Sequence, residues 1–270
     1  MVRGFWNQSP RSVNVSGKCN VCGNLTVFSC DNIERSRETL VCKECGTISR
    51  YRSVARGILL AIGELSHVDA YSISELALKD GTSLSVYDTQ IPFHARTSYP
   101  IPDLLSKCRW IDMHTSVYWP SEPWGIKIGT NTTNQNLEML TFPDKRFDIV
   151  VTSDVMEHVR LDDRAHREIR RVLKTNGIYV FTVPHFRHAS ATLVRVEITD
   201  PVDPSKDRHL MEPEYHGDPN SDSKALCYRT YGTDLDEMLQ SLGFTVEYTR
   251  QDYPQLGIVN TELFYCRLAK

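Results

Sequence analysis

Phe142 to Pro184 reads FPDKRFDIVVTSDVMEHVRLDDRAHREIRRVLKTNGIYVFTVP. Phe147, Ile149, Val150 and Val151 form a nearly continuous apolar run, the pattern of a strand covered on both faces as in a parallel sheet. The run ends at Thr152, Ser153 and Asp154, and in open α/β folds ligands bind outside the carboxyl ends of strands. The next segment places Ile169, Val172 and Leu173 on one helical face, with Arg164, Arg167, Arg170, Arg171 and Lys174 around the rest. Asn176-Gly177 is expected to stop this helix, Gly177 taking a left-handed cap. Ile178 to Val183 then reads as a second buried strand, closed by Pro184. Strand, helix and strand in this order predict an α/β chain with a mostly parallel sheet.

The rest of the chain extends that reading. Arg50–Leu65 carries Val54, Ile58, Leu59 and Ile62 at helical spacing. Ser72–Lys79 is expected as a short helix capped near Ser72 or Ser74. Leu84–Asp88 and Trp110–Met113 read as the first two sheet strands. Gly232–Leu242 is an amphipathic helix stopped by Gly243, and Phe244–Tyr248 and Ile258–Leu268 are the last two strands. The interval Thr199–Leu226, rich in Asp, Pro and His, is the long irregular segment, and a loop of that length in a compact domain is usually functional or disordered.

Composition narrows the class. The chain has 270 residues, 40% of them hydrophobic, and a formal charge of −3. Neither a bilayer-spanning apolar run nor a signal peptide is visible at the start, which reads MVRGFWNQSP, so the cytoplasm is the expected compartment and no membrane partner is expected. Charge is uneven: residues 1–56 hold nine Lys/Arg and four Asp/Glu, and the remainder 22 and 30. A basic head on an acidic body suits either an anionic partner or a solvated polar module.

Four of the eight cysteines form Cys19-x-x-Cys22 and Cys42-x-x-Cys45, each pair followed by glycine, at Gly23 and Gly46. Two intervening residues let both thiolates of a pair grip one ion, and the 19 residues between the pairs suffice for a hairpin. The spacing predicts a structural Zn²⁺ site made by Cys19, Cys22, Cys42 and Cys45, with every coordination position filled by protein. A head of this size has too little core to fold alone, and the metal would supply the difference. Cys30 is not expected to be a ligand, and Cys108, Cys227 and Cys266 are expected as small buried hydrophobes.

The lead-in Leu140-x-Phe142-Pro143-Asp144-x-x-Phe147-Asp148, the element Glu157-His158-Val159 and the helix Arg167-Glu168-Ile169-x-Arg171-Val172-Leu173-Lys174-x-x-Gly177 closely resemble the C-terminal half of class I S-adenosylmethionine-dependent methyltransferases. The nearest group is the small-molecule type related to quinone biosynthesis. The resemblance extends over roughly Ser83 to Leu268. It implies a Rossmann-like, doubly wound, mostly parallel sheet at 57–270 behind a zinc ribbon at 1–56, with a lid-like insertion at about 185–228. Some members of this fold group pair a zinc ribbon with a late Tyr-His-Gly-Asp-Pro segment, and this chain is similar, at Tyr215 to Pro219.

The resemblance also implies a site. S-adenosyl-L-methionine would meet Asp88 at the end of the first strand, although the loop that follows lacks the family's glycines. Asp112 is the candidate ribose acceptor at the end of the second strand, with a slip onto His114 as the alternative. Asn136 and Leu137 would hold adenine, and Thr152 and Ser153 the methionine end. The general-base candidates are His158, His185 and His216, since an imidazole titrates near neutral pH. Arg195, His209 and Tyr215 are candidates for contact with a small-molecule substrate. The expected activity is methyl transfer to a small acceptor, O-methylation in specialised metabolism being the specific form. The alternatives are an RNA methyltransferase that uses the ribbon to grip RNA, and a non-catalytic binding protein on the same frame.

Overall fold

The computed structural model describes residues 12–94, 98–217 and 224–268. The head opens with β1 (Val13–Lys18) and β2 (Leu25–Cys30), followed by a short helix α1 (Ser36–Thr39) and by β3 (Val41–Cys42). These strands form an antiparallel sheet in the order β1-β2-β3. Gly23 and Gly46 have φ of +79° and +73°, the left-handed conformation that each knuckle turn requires of the residue after its second cysteine.

Helix α2 (Ser49–Ser66) leaves the head and runs through residue 56 without a break. Its apolar face, including Val54, Ala55, Ile58, Ala61 and Ile62, is buried. Gly57 lets the helix lie close on the sheet, since a Cβ there would stand 2.6 Å from Val180. After it come α3 (Ile73–Leu76), β4 (Leu84–Asp88), the small hairpin β5 (Phe93–His94) and β6 (Ser98–Tyr99), and α4 (Ile101–Leu105). The cap of α3 is the expected Ser72, whose hydroxyl accepts from the Glu75 N–H.

The main sheet continues with β7 (Ile111–Val117), β8 (Thr132–Asn134), β9 (Phe147–Ser153), helix α5 (Asp162–Val172) and β10 (Leu173–Thr182). The insertion follows as three short antiparallel pairs, built from β11 (Leu193–Val194), β12 (Val196–Glu197), β13 (Arg208–His209), β14 (Tyr215–Gly217), β15 (Lys224–Leu226) and β16 (Arg229–Thr230). Helix α6 (Asp234–Ser241), β17 (Phe244–Thr249) and β18 (Leu263–Leu268) complete the chain.

The seven-stranded sheet has the order β17-β18-β10-β9-β4-β7-β8. β18 is antiparallel to both of its neighbours, and the pairs from β10 to β8 are all parallel. The chain therefore winds outward both ways from β4, the Rossmann-like arrangement with a switch point between β4 and β9. Alternate residues of the central strands face two cores. Ile149, Val151, Ile178 and Val180 join the cluster under α2 and the head, and Val150, Tyr179 and Phe181 join the one under α5 and α6. Head and body share the first core, and no helix among the described residues is long and apolar enough to cross a membrane.

Three expectations change, the first being that the last strand begins at Leu263 rather than Ile258. The helix does not run to a Gly177 cap: α5 ends at Val172, Leu173 turns extended (ψ 138°), and β10 begins there with a register shift before Ile178. Burial of Leu173 beside Phe147 outweighs its helical spacing. The second strand runs on to Val117, because the polar residues Thr115 and Ser116 are buried in the sheet and bonded there.

Candidate functional site

The switch point gathers the carboxyl ends of β4 and β9. The Asp88 side chain is fully buried; Oδ1 accepts from the Gln90 N–H at 3.0 Å and Oδ2 from the Tyr99 hydroxyl. Burial outweighs these two donors and pushes the Asp88 carboxyl up to about 7. The Gln90 side chain donates to the Ser153 carbonyl at 3.0 Å, tying the end of β4 to the end of β9. The Tyr99 ring packs edge-on against Tyr51 of α2, 4.6 Å between centroids.

Head residues reach the same edge. Arg37 of α1 makes a bidentate pair with Asp154, at 2.6 and 2.8 Å, and its Nε donates to Glu262 at 2.9 Å. Arg50, in the first turn of α2, donates to the Ser153 hydroxyl at 2.7 Å and to Glu38 at 2.7 and 2.9 Å. Asp154 itself is in the left-handed region at φ 50°, a conformation that aims its carboxylate back at the two guanidiniums. Arg37 and Arg50 hold that carboxyl well below its ordinary range against the opposing effect of burial. The Cys19, Cys22, Cys42 and Cys45 Sγ atoms converge within 4.8 Å of one another, with Cys19 and Cys45 at 3.8 Å. Tetrahedral thiolates around zinc at about 2.3 Å stand about 3.8 Å apart. Arg52, fully buried beside them, donates to the carbonyls of Thr47, Leu40 and Gly257. Burial lowers its pKa to about 10, with the cysteine sulfurs working in the opposite direction.

A second cluster lies just past β9. Glu157 and His158 sit in a 3₁₀ turn (Met156–His158), and His216 reaches them from β14 of the insertion. The donor atoms of Glu157, His158 and His216 lie within 4.8 Å of one another. His158 Nε2 is 3.2 Å from His216 Nδ1 and 3.6 Å from Glu157 Oε1. The outer nitrogens face acceptors: His158 Nδ1 is 2.9 Å from the Leu226 carbonyl, and His216 Nε2 is 3.1 Å from Glu214 Oε1. Glu157 is wholly buried and neither carboxylate oxygen has a hydrogen-bond partner. Burial, reinforced by the negative charge of Asp154, holds its carboxyl well above the ordinary range.

The sequence-derived candidates divide accordingly. Asp88, Thr152 and Ser153 do stand at the carboxyl ends of β4 and β9, though Thr152 turns its hydroxyl to Tyr179 at 2.9 Å. Asp112 does not end the second strand: it is the second residue of β7, at the opposite edge of the sheet, paired with Arg146 at 2.6 Å. His114, which contacts Asp112, stands in mid-strand opposite Tyr87, so the slip onto it also falls short of the strand's carboxyl end. Asn136 caps its own turn by accepting from the Glu138 N–H, and Leu137 is buried in the core under α5. His158 and His216 come together, whereas His185 is buried elsewhere, bonded to the Gly232 carbonyl at 3.0 Å and packed on Phe264. Arg195 pairs with Glu214 at 2.5 Å. Tyr215 and His209 are exposed on the insertion, and Asp218 lies outside the described residues.

Glu157, Glu214, Tyr99, Arg37 and Arg50 were not among those candidates. Glu157 stood in the Glu-His-Val element, beside the histidine chosen from it. Glu214 stood beside Tyr215, next but one to His216; Tyr99, Arg37 and Arg50 are far away in sequence, and nothing local marks their destination.

The family described as "Methyltransferase domain" matches residues 121–181, which take in β8, β9, α5 and most of β10. No curated protein matches the chain. Among solved structures, an S-adenosylmethionine-dependent methyltransferase from Mesorhizobium loti is 14% identical, with 72% of this chain and 95% of that one covered and a TM-score of 0.42. The Burkholderia thailandensis 1,6-didemethyltoxoflavin-N1-methyltransferase, with bound 1,6-didemethyltoxoflavin and S-adenosylhomocysteine, is 13% identical over 81% and 79%, with a TM-score of 0.41. A Haloferax volcanii putative methyltransferase complexed with the Trm112 methyltransferase activator is 12% identical over 82% and 97%, with a TM-score of 0.41. At such scores the fold assignment rests on the strand order, and the functional signal is the methyltransferase-domain match on the switch-point strand and its neighbours.

Proposed function

We propose that this chain is an S-adenosylmethionine-dependent methyltransferase acting on a small molecule. The observation that carries the reading is the methyltransferase-domain match over 121–181, which coincides with the strand that forms one side of the switch point. The donor would seat at the β4–β9 edge. Ser153, the buried Asp88 and the Arg37–Arg50–Asp154 group would surround its polar parts, and Asn136 and Leu137 its base. Tyr99 and Gln90 cover Asp88, so on this reading a donor that reached its carboxyl would take the place of these two partners.

The acceptor would meet the donor on the insertion side, at Glu157, His158 and His216. Methyl transfer is an in-line displacement at carbon: the acceptor oxygen bonds the methyl group, the carbon–sulfur bond breaks, and the sulfonium becomes a thioether. Positioning supplies most of the acceleration, and the acceptor's proton leaves to this cluster. The insertion brings His216 to Glu157 and His158, and on this reading it would close over a small acceptor of the hydroxyl class. The four-cysteine set of the head holds structural Zn²⁺ on this reading. It folds the head and so positions Arg37 and Arg50, and Arg52 offsets the negative charge of four thiolates.

Calorimetry with S-adenosylhomocysteine tests the donor seat. Binding in the micromolar range is expected, weakened at least tenfold by Ser153→Trp. No heat at millimolar ligand would leave the frame as a binding scaffold. Salt-dependent binding of RNA, from counterion release, would move the acceptor to RNA and the basic head to its recognition.

A further inference from the structure

We propose that Glu157, His158 and His216 bind a divalent first-row transition-metal ion at the mouth of the insertion, separate from the four-cysteine site. The tautomers point to it. The Leu226 carbonyl, 2.9 Å from His158 Nδ1, can only accept, so the proton of that ring is on Nδ1 and the Nε2 lone pair faces inward. Glu214, 3.1 Å from His216 Nε2, likewise places that ring's proton on Nε2 and its Nδ1 lone pair inward. Two inward lone pairs then face each other at 3.2 Å, a contact that needs a positive charge between them.

The third member is independent of the histidines. Glu157 is 0% exposed and both of its oxygens lack a donor, an arrangement that is costly for a carboxyl group with nothing to bind. Its Oε1 lies 3.6 Å from His158 Nε2, too long for a hydrogen bond even if the acid is protonated. Two ligand atoms on a zinc-sized ion, each at about 2.1 Å, are about 3.0 to 3.4 Å apart, close to the 3.2 and 3.6 Å seen here.

The supporting shell has the form that metal-bound histidines take, each outer N–H engaged by a carbonyl or a carboxylate. Glu214 is in turn held by Arg195 at 2.5 Å. Two imidazoles and one carboxylate favour Zn²⁺, Fe²⁺, Mn²⁺ or Co²⁺ over Ca²⁺, and they leave positions open for an exogenous ligand. The catalytic meaning of the ion rests on the methyltransferase reading: an acceptor hydroxyl on an open position would be acidified and held. The existence of the site does not depend on that reading.

The test uses the full chain with its cysteine site loaded with zinc. Elemental analysis and titration with Co²⁺, followed by its visible absorption, read a further equivalent of metal per chain. The wild type is expected to take it up. Glu157→Gln and His216→Ala should lose at least 100-fold in Co²⁺ affinity, and Glu214→Gln about 10- to 100-fold, with circular dichroism and the zinc equivalent unchanged. If the wild type takes up no cobalt beyond the cysteine site, or if His216→Ala binds it as well as the wild type, a proton rather than a metal joins the two rings and the proposal is overturned. Calorimetry with S-adenosylhomocysteine on the same samples reads the donor seat alone, so failure of the metal site and failure of the methyltransferase reading give different results.

Discussion

Replacing Asp88 with asparagine should remove a pH dependence of stability that a buried carboxyl imposes on the fold. The Asp88 carboxyl is raised from 3.8 to about 7, with burial as the largest cause and the Tyr99 hydroxyl and Gln90 N–H opposing it. A folded pKa above the unfolded one means that the native state binds the extra proton. The stabilisation is therefore complete below about pH 4 and is lost as pH rises to about 7. Each pH unit in that window is worth about 1.4 kcal/mol, so between pH 5 and pH 8 the wild type should lose about 3 kcal/mol through this group. The amide of the Asp88→Asn variant keeps an oxygen to accept from Gln90 or Tyr99 and has no proton to lose. Urea unfolding at both pH values, wild type against Asp88→Asn, isolates the contribution as a difference of differences. On going from pH 5 to pH 8 the variant is expected to gain about 3 kcal/mol relative to the wild type. Equal pH profiles for the two proteins would refute the assignment of a neutral, buried Asp88.

His166 should behave in the opposite sense. It is fully buried with both ring nitrogens unpartnered and its pKa is lowered to about 3 by burial, so its stabilisation is present above about pH 6.5 and lost as pH falls. His166→Phe, packed against Tyr179 and Phe181, should gain about 2 kcal/mol at pH 5 relative to pH 8, read by the same unfolding curves. Asn134 is buried and pins the loop before β8, its amide donating to the carbonyls of Trp119, Glu122 and Pro123 and its carbonyl oxygen accepting from the Trp119 N–H. Asn134→Ala should cost about 3 kcal/mol and open residues 118–125 to proteolysis, and an uncut loop would count against that role. Gly257 has φ +65°, and a Cβ there would meet Phe28 at 2.4 Å. Gly257→Ala should therefore part the head from the body and lower the thermal midpoint by several degrees, a shift absent if the two do not share a core. On the proposal of structural zinc in the head, a chelator should release Arg37 and Arg50 from the sheet edge and weaken S-adenosylhomocysteine binding at least tenfold; unchanged binding by calorimetry would separate the head from the donor seat.

Local pattern carried much of the architecture. The apolar run at Phe147–Val151 and the spacing of Val54, Ile58 and Ile62 predicted β9 and α2 because burial on both faces or on one stripe leaves a periodic trace in the chain. The convergence of the two Cys-x-x-Cys pairs was legible too: their four Sγ atoms do meet within 4.8 Å, as the spacing within each pair allows. What the pattern could not decide were the places where long-range burial overrides local preference. Leu173 ends α5 and Thr115 extends β7 because of neighbours in the sheet, and Asp112 consequently lies at the wrong edge. The partners of the site were decided only in three dimensions. Arg37 meets Asp154 across 117 residues and His216 meets His158 across 58. Contacts at such separations are set by the packing of the head and the insertion onto the sheet, and leave no periodicity or motif in the segments that make them.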